Sequence, residues 1–519
     1  MTVLNATFPL LTLMVAVPAL GGLALGVIKP LRRQARPFGL AISLVVLVGA
    51  IIAACQFDYG KADAYQLAET HPWIPVIGTS WALGLNGLGL AMIGLSAILV
   101  PITLAAAWHE DDAAGENADN SRAGYIGLTL VAEAFMMLIF AARDVFLFYV
   151  AFEAMLVPMY FLVGRFGQGG AKAKAAALKF LLYSLLGGLI MLAGVIALYT
   201  KAPAHSNQYL LENLAGKLDT TPGMEMFIFV TFFIAFAIKA PMVPVHTWLA
   251  DTTEVARPGT STLLVGVLDK IGTFGMITLC LAIFPDASHR AALPIIILAV
   301  ISVLWGALAA LAQKDLMRLI SFTSVSHFGI MIMGIFVGSK LALTGAMVYM
   351  VAHGLSIAGL FLISGFLTQR GGTQKIDDYG GMRVVTPVLA GTWLVVGLAA
   401  IALPGLSGFV PELMVLVGTF GVANWAAMIS ILAVVAAALY ILLPFQKIFT
   451  GDTNPDKKNL TDLDWREKLA VVTPLIVLML VIGFFPHPLV STVEPVSEQT
   501  VLAPLGDNPT TALTTDGRN

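Results

Sequence analysis

The chain has 519 residues, of which 58% are hydrophobic and only 12% are charged, and its formal net charge is −2. A soluble protein of this length would carry roughly twice that share of charged residues, so the composition indicates an integral membrane protein. The near-neutral charge balance gives no sign of a nucleic-acid-binding surface.

The sequence contains no motif for holding a cofactor or a metal. Cys55 and Cys280 are far apart, and no C-x-x-C, haem-attachment or zinc spacing occurs. Neither a Walker A motif nor a G-x-G-x-x-G fingerprint after a strand pattern is present. We therefore expect no cofactor and no metal in this chain, and any redox energy that drives it has to come from a partner.

The first apolar run, from about Phe8 to Ile28, is long enough to span a membrane. It does not look like a cleavable signal, because no basic residue precedes it. A basic cluster follows it instead, made of Lys29, Arg32, Arg33 and Arg36. Since basic loops stay on the cytoplasmic side, we expect the N-terminus to face outward.

Hydropathy predicts an all-α polytopic protein with fourteen membrane-spanning helices. They cover roughly residues 8–28, 37–55, 86–107, 124–142, 145–164, 176–199, 225–249, 259–283, 291–312, 318–337, 341–367, 385–421, 424–446 and 469–486. With the N-terminus outside, the inner loops hold 20 of the 29 Lys and Arg residues and the outer segments hold 7. This asymmetry fits an even number of spans with both termini on the outer side.

Two of the predicted spans contain helix-breaking residues. The seventh has Pro241 and Pro244 directly after Lys239, and the twelfth has the run LPGLSGFVPE, which ends at Glu412. Proline removes a backbone donor, so both helices should be interrupted. Interrupted helices in transporters mark ion sites, often at matching positions of inverted repeats. Because the breaks are five spans apart, we predict two inverted five-helix repeats, at spans 4–8 and 9–13.

The expected organisation has five regions. They are three N-terminal transmembrane helices in 1–123, the first repeat in 124–283, the second repeat in 291–447, an inner loop with the last span in 448–487, and a poorly ordered outer tail in 488–519. The tail has no apolar period and is rich in Thr, Pro and Asp. The acidic segment 109–122 is interpreted as a solvated inner turn.

Six ionisable residues inside spans are the candidates for a proton path. They are Glu153, Lys239, Lys270, His327, His353 and Glu412. A central Lys costs about 2.5–3.5 kcal/mol even on lenient insertion scales, so a structural role alone rarely retains two. Glu153 is the natural partner of Lys239, since opposite charges favour each other's charged forms. The alternative is a static ion pair that holds two helices together.

Other ionisable residues have less certain roles. Asp269 precedes Lys270, but adjacent residues on a helix point about 100° apart, so it is expected to be a structural counter-ion. Glu133 could modulate Glu153, contact a neighbouring subunit or be structural. His246 could line a proton entrance or make an interfacial hydrogen bond. His327 and His353 suit a water-linked relay. Neither has a His, Cys, Asp or Glu residue four positions away in the sequence, so a metal site is not indicated.

Five stretches together resemble the antiporter-like membrane subunits of respiratory complex I, and most closely chain M of bacterial NADH–quinone oxidoreductase. They are FYVAFEAMLVPMYFLVGRFG, AIKAPMVPVHTWLAD, SVSHFGIMIMGI, MVAHGLSIAGLF and PGLSGFVPELMVL. The resemblance runs from about residue 120 to 450. Two residues depart from the family pattern, since Ala250 stands where Pro is commonest and Asp269 replaces a usual apolar residue.

The resemblance implies roles and partners. Glu153 and Lys239 would be the gating pair, Lys270, His327 and His353 the central hydrophilic axis, and Glu412 the distal site. Sister antiporter-like chains usually carry Lys at that distal position, so Glu412 favours chain M. The chain would lie in the bacterial inner membrane among the other membrane subunits of complex I, including its sister chains.

Three rival functions remain on the sequence alone. A subunit of a multisubunit sodium/proton antiporter would use the same fold without a redox arm. A membrane subunit of an energy-converting hydrogenase is the second. In the third, the chain is a passive scaffold whose buried ion pairs only fix helix packing.

Overall fold

Long apolar helices make up most of the structure, as the hydropathy predicts. The computed structural model describes residues 1–110, 118–202, 207–218 and 220–502. The first helices are α1 (Leu10–Val27), α2 (Ala35–Gln56), α3 (Gly87–Ala106), α4 (Ala118–Ala141), α5 (Val145–Ala154), α6 (Leu156–Gly164) and α7 (Ala171–Lys201). Then come α8 (Leu211–Leu214), α9 (Pro222–Lys239), α10 (Thr247–Val255), α11 (Pro258–Leu263) and α12 (Lys270–Gly275).

The second half of the chain continues in the same way. Its helices are α13 (Pro285–Leu311), α14 (Leu316–Phe336), α15 (Lys340–Gly371), α16 (Met382–Val385), α17 (Pro387–Ala400), α18 (Phe409–Phe420), α19 (Asn424–Phe449), α20 (Thr473–Phe484) and α21 (His487–Thr500). In the described part of the chain, thirteen helices are long and apolar enough to cross a membrane. The predicted twelfth span is divided between the two shorter apolar helices α17 and α18. The all-helical polytopic fold is confirmed.

Both predicted interruptions are present. In the seventh span, α9 ends at Lys239 and α10 begins at Thr247; in the twelfth, α17 ends at Ala400 and α18 begins at Phe409. A further, unpredicted interruption separates α5 from α6 at Met155. It lies just before a proline, Pro158, whose missing N–H removes one helical hydrogen bond. The inverted relation between the two repeats remains a prediction.

A small sheet, which the sequence analysis does not predict, lies at one end of the bundle. Its strands are β1 (Val3–Asn5), β2 (Tyr65–Ile74) and β3 (Thr79–Leu85), with β1 parallel and β3 antiparallel to the central β2. The carboxylate of Glu69 on β2 accepts hydrogen bonds from the backbone N–H groups of Leu11 (2.7 Å) and Thr12 (3.1 Å). Glu69 therefore satisfies donors at the start of α1. We call this end of the bundle the sheet face.

The C-terminal region corrects one prediction. The expected poorly ordered tail from residue 488 is wrong for residues 488–500, which form α21 and pack against α15 and α3. The buried residues of α21 are Thr492, Val493, Val496 and Ser497. With only two apolar residues on that face, the helix has almost no hydropathy signal. Residues 503–519 lie outside the described part of the chain.

Ion pairs join residues that the sequence analysis places on the same side of the membrane. On the predicted outer side they include Arg143–Glu212 and Arg290–Glu225, and on the predicted inner side Arg257–Glu110, Arg318–Asp251, Arg370–Glu467 and Lys447–Asp377. This agreement supports the order in which the helices cross. In the acidic segment, Glu110 is paired with Arg257 (3.5 Å), while residues 111–117 are outside the described residues.

Candidate functional site

Lys239 is the last residue of α9, at the point where the seventh span unwinds. Two polar contacts replace the lost helical hydrogen bonds. The indole N–H of Trp248 donates to the carbonyl of Ile238 (3.0 Å), and the N–H of Val243 donates to the hydroxyl of Ser302 (3.0 Å). The unwound segment is thus held by protein contacts, as irregular backbone at membrane depth requires.

The amine of Lys239 lies among aromatic rings. The residue is only 1% exposed, and its nitrogen has no hydrogen-bond partner among the described residues. That nitrogen is 5.3 Å from the ring centroid of Phe152 and 5.2 Å from that of Phe180. Ring faces at these distances stabilise a cation without accepting a proton from it. The amine therefore has no fixed acceptor in this conformation.

Glu153 lies near the end of α5, with its carboxylate packed against Gly188 of α7. A Cβ at position 188 would lie 1.6 Å from Oε1 of Glu153, so the carboxylate occupies space that only glycine leaves. No nitrogen–oxygen distance of 4.0 Å or less joins Glu153 to Lys239, and Oε1 has no described hydrogen-bond partner. The expected gating pair is therefore not in direct contact here.

Asp269 is completely buried, and neither of its carboxylate oxygens has a hydrogen-bond partner among the described residues. The expected pairing of Asp269 with Lys270 as a local counter-ion remains a prediction, because no hydrogen bond joins the two side chains in the described part of the chain.

Lys270 lies between two π-helical segments, Leu264–Leu268 and Met276–Leu281. Such segments widen a helix locally and are frequent at functional sites. The amine of Lys270 donates to the carbonyl of Val265 (2.6 Å) and lies 2.8 Å from Nδ1 of His353 on α15. An ammonium can only donate, so Nδ1 of His353 accepts whenever Lys270 is protonated.

Close backbone approaches fix the position of Lys270. A Cβ at Gly272 would lie 2.5 Å from the carbonyl oxygen of Phe236 and 2.6 Å from the nitrogen of Ala240. Only a residue without a side chain lets α12 lie this close to the end of α9. A Cβ at Gly354 would lie 2.9 Å from the carbonyl oxygen of Gly266, so α15 approaches the first π segment in the same manner.

The distal residues form a continuous series of hydrogen bonds. Nδ1 of His327 lies 2.6 Å from the hydroxyl of Tyr349, and that hydroxyl donates to Oε2 of Glu412 at 2.6 Å. The hydroxyl of Tyr440 lies 3.3 Å from Nε2 of His327. All four side chains are buried. The structure therefore brings His327 and Glu412 together through a tyrosine.

The two histidines do not hydrogen-bond to each other. The ring centroids of His327 and His353 are 5.3 Å apart, and Nε2 of His353 has no described partner. The predicted axis thus consists of a proximal segment, Lys270–His353, and a distal segment, His327–Tyr349–Glu412.

Glycines also bring α18 against α15. A Cβ at Gly345 would lie 2.9 Å from the nitrogen of Val415, and one at Gly418 would lie 2.5 Å from the nitrogen of Ala342. The resulting close packing sets Glu412, in the first turn of α18, within reach of the ring hydroxyl of Tyr349.

The structure does not connect Glu133 or His246 to this series through direct hydrogen bonds. Glu133 is fully buried in α4, and both of its carboxylate oxygens are without a partner among the described residues. His246 lies next to the break of the seventh span, where its Nε2 accepts a hydrogen bond from the indole of Trp305 (3.0 Å). The hydrogen bond that the sequence analysis allowed for His246 is therefore present.

A polar turn at the sheet face sets the start of α5, the helix that carries Glu153. Asp144 caps it by accepting from the N–H of Leu147 (2.9 Å), and it also accepts from Ser80 and Thr79 on β3. Burial raises the pKa of Asp144 above its usual range, and these hydrogen bonds oppose the rise.

Two tyrosines of the site were missed by sequence reasoning, which considered only charged residues and histidines. Tyr349 precedes His353 by four residues, so both project from the same face of α15. That spacing was a usable signal. No sequence signal pointed to Tyr440, because only the packing of α19 brings it to His327.

Among the described residues, no group of three or more His, Cys, Asp or Glu side chains could hold a metal ion, and Cys55 and Cys280 are both free. Buried ionisable side chains, interrupted spans and a polar series between them are features of membrane proteins that move ions. Comparison with known proteins identifies the family within this class of membrane proteins. The chain belongs to the NADH:quinone oxidoreductase/Mrp antiporter transmembrane family, whose pattern matches residues 142–439.

Relatives resemble this chain over most of its length. It is 40% identical to NADH-quinone oxidoreductase subunit M of Mycobacterium tuberculosis, with 95% of this chain and 94% of the relative covered. It is 33% identical to subunit M of Rhodobacter capsulatus, with 89% and 90% covered.

Solved structures show the same fold. A chain of respiratory complex I from Thermus thermophilus with bound NADH is similar with a TM-score of 0.84 and 30% identity, covering 95% of this chain and 99% of that one. A chain of the Mrp complex from a Dietzia species has a TM-score of 0.81 at 21% identity, covering 95% and 98%. The second likeness concerns the fold alone.

Proposed function

We propose that this chain is the antiporter-like, proton-translocating membrane subunit of a NADH–quinone oxidoreductase. The observation that carries the proposal is the pair of buried polar segments, Lys270–His353 and His327–Tyr349–Glu412, with contacts of 2.8 Å at His353 and 2.6 Å on either side of Tyr349. Membrane interiors retain such residues at a cost of several kcal/mol, which a transport role explains. The 40% identity to subunit M supports the choice of complex.

In this proposal, quinone reduction elsewhere in the complex supplies a conformational or electrostatic signal. The signal alters the position of Glu153 relative to Lys239, and Lys239 then passes its proton to Lys270. His353 and His327 carry the proton on to Glu412, from which it leaves. Asp269, which is completely buried and directly precedes Lys270, serves in this proposal as a counter-ion of that lysine.

The same proposal assigns the chain no redox chemistry and no cofactor of its own. The subunit lies in the bacterial inner membrane beside the other membrane subunits of the complex, including sister antiporter-like chains. The excess of Lys and Arg in one set of loops supports an orientation with both termini, and hence the sheet face, on the outer side. Protons then move from the inner to the outer side.

A sodium/proton antiporter subunit is the second candidate, because the fold likeness to the Mrp chain is nearly as high as that to the complex I chain. The two assignments differ in their partners. A sodium/proton antiporter has no NADH-oxidising arm, and its exchange depends on sodium.

Purification of the tagged chain from its native membrane in gentle detergent, followed by mass spectrometry, separates them. We expect NADH-oxidising flavin and iron–sulfur subunits to accompany it, and proton uptake by vesicles containing the complex to follow NADH oxidation. Recovery of small antiporter-type membrane subunits alone would overturn the redox coupling and assign the relay to sodium-driven exchange.

A further inference from the structure

We propose that Tyr349 is itself a proton-carrying residue, which transfers protons between His327 and Glu412. The inference rests on the proposed proton path and adds to it a residue with no charge at neutral pH. Among the described residues, the hydroxyl of Tyr349 is the one side-chain group that hydrogen-bonds to Glu412. A proton that reaches Glu412 from the histidines through side chains alone has to pass this oxygen.

The donor and acceptor roles in this segment follow from the chemistry of the three groups. An ionised carboxylate only accepts, so the single proton of the Tyr349 hydroxyl is directed to Oε2 of Glu412. The phenol oxygen then has lone pairs alone to offer Nδ1 of His327, 2.6 Å away, so Nδ1 carries a proton. In the neutral ring, Nε2 is therefore the acceptor, and the hydroxyl of Tyr440 faces it at 3.3 Å.

This arrangement sets the order in which protons move from His327 through Tyr349 to Glu412. A proton that arrives at Nε2 of His327 forms a new N–H bond there, and the Nδ1–H bond breaks as its proton moves to the oxygen of Tyr349. The original O–H bond of Tyr349 breaks in turn, and its proton joins the carboxylate of Glu412. Tyr349 ends as a neutral phenol and His327 as a neutral imidazole with its proton on Nε2. Three changes restore the first state: Glu412 releases its proton, the hydroxyl of Tyr349 rotates back to Oε2, and His327 returns to the Nδ1–H tautomer by losing the proton on Nε2 and gaining one on Nδ1.

Tyr440 has a positioning role in this scheme. Its hydroxyl donates to Nε2 of His327 and thereby favours the tautomer that presents Nδ1–H to Tyr349. Among the described residues it makes no hydrogen bond to Glu412, and removing its hydroxyl leaves the hydrogen bonds of the series His327–Tyr349–Glu412 in place. Tyr440 is thus the natural comparison for Tyr349, since the two hydroxyls contact opposite nitrogens of the same ring.

The test compares Tyr349→Phe with Tyr440→Phe and Tyr379→Phe in the assembled complex, reconstituted in vesicles. Tyr379 is buried and donates to the carbonyl of Thr373, away from the relay, so it controls for loss of a buried phenol hydroxyl. Loss of a positioned acid–base group slows proton transfer by about 10²- to 10⁴-fold. We expect the proton yield per NADH of Tyr349→Phe to fall to background, that of Tyr440→Phe to fall partly, and that of Tyr379→Phe to equal wild type.

An infrared measurement supplies a second readout. The C=O band of protonated Glu412, assigned by its disappearance in Glu412→Gln, should shift in Tyr349→Phe and stay in place in Tyr379→Phe. If Tyr349→Phe prevents assembly, incorporation of 3-fluorotyrosine at position 349 keeps the hydroxyl but makes it more acidic. The pH profile of pumping should then shift toward lower pH, and an unchanged profile would count against the inference.

The outcomes separate this inference from the proposed function. Wild-type proton yield in Tyr349→Phe, together with loss of pumping in Lys239→Ala, overturns the role of Tyr349 and leaves the proton path standing. Wild-type yield in both variants overturns the proposed function. Loss of yield in Tyr349→Phe with no loss in Tyr379→Phe supports the inference.

Discussion

The amine of Lys270 on α12 and Nδ1 of His353 on α15 lie 2.8 Å apart, and both residues are buried. This contact joins the first predicted repeat to the second. A lysine and an imidazole so placed can hold one proton between them, since the ring nitrogen accepts from the ammonium. In the proposed path, this contact is the point at which a proton crosses from one predicted repeat to the other.

Replacing Lys270 by Met keeps a side chain of similar length but removes the amine that carries the proton. We expect Lys270→Met to reduce proton pumping to background while the complex assembles, because His353 then has no donor. Proton uptake per NADH in inverted vesicles measures this. Lys217→Met, at an exposed lysine near the sheet face, is the matched control and should pump normally.

Lys239 provides the second prediction. Its amine has no hydrogen bond and lies over two rings, so Lys239→Ala removes a cation without breaking a polar contact that holds helices together. Pumping should be abolished or strongly reduced, and assembly should survive. Lys61→Ala, at an exposed lysine, serves as the comparison. Normal proton yield in a correctly assembled Lys239→Ala complex would show that this lysine is not part of the path.

A third prediction concerns the contact between α12 and α9. In Gly272→Ala the new Cβ meets backbone atoms of Phe236 and Ala240 at 2.5–2.6 Å, and backbone cannot move aside as a side chain can. Overpacking of this kind typically costs about 1–3 kcal/mol. We expect a lower unfolding temperature and weaker pumping.

Gly94→Ala is the matched control for Gly272→Ala. A Cβ at position 94 meets no atom within 4 Å and lies inside helix α3, so the same chemical change should not lower the unfolding temperature and should raise it slightly through helix propensity. Equal unfolding temperatures for the two variants would mean that the close approach of α12 to α9 does not contribute to stability.

The fourth prediction uses the buried carboxyl of Asp144. Because burial raises its pKa in the folded protein, the folded state binds this proton more tightly than the unfolded chain, where the pKa is about 3.9. The resulting stability is fully present below about pH 3.9 and is lost as the pH rises through the folded-state pKa. The unfolding temperature of wild type should therefore fall relative to that of Asp144→Asn as the pH rises toward 7.

Thermal unfolding of both proteins across this pH range measures the difference. The same measurement on Asp58→Asn, at an exposed carboxylate of the sheet face, is the control for effects of pH that do not depend on Asp144. A difference between wild type and Asp144→Asn that does not vary with pH would show that the carboxyl has the same proton affinity in both states.

Much of the fold was predictable because the bilayer leaves few alternatives. A run of about 20 apolar residues that spans a bilayer is expected to be helical. Prolines in such a run mark places where the helix can be interrupted, although α1 and α3 continue through Pro18 and Pro101. Lys239, Lys270 and Glu412 were identifiable for a related reason, since ionisable groups in such runs are rare. These inferences needed only the sequence around each residue.

The remainder depends on contacts between distant parts of the chain. Strand β1 has only three residues and is separated from β2 by two spans, so no local sequence pattern predicts their pairing. Helix α21 is amphipathic with two valines on its buried face, which hydropathy does not detect. The link between Glu412 and His327 passes through Tyr349, a residue that carries no charge to draw attention to it.

Helix α15 is continuous from Lys340 to Gly371, and it carries both His353 and Tyr349, one turn apart. The two residues are therefore fixed on one rigid rod, with a rise of about 1.5 Å per residue. If α15 slides along its axis, the distance from His353 to Lys270 and the distance from Tyr349 to Glu412 change together. Opening one contact while the other stays closed requires α12 or α18 to move, or a single side chain to turn. In the proposed path, the contact with Lys270 and the contact with Glu412 can therefore be opened independently of each other only by movements outside the backbone of α15.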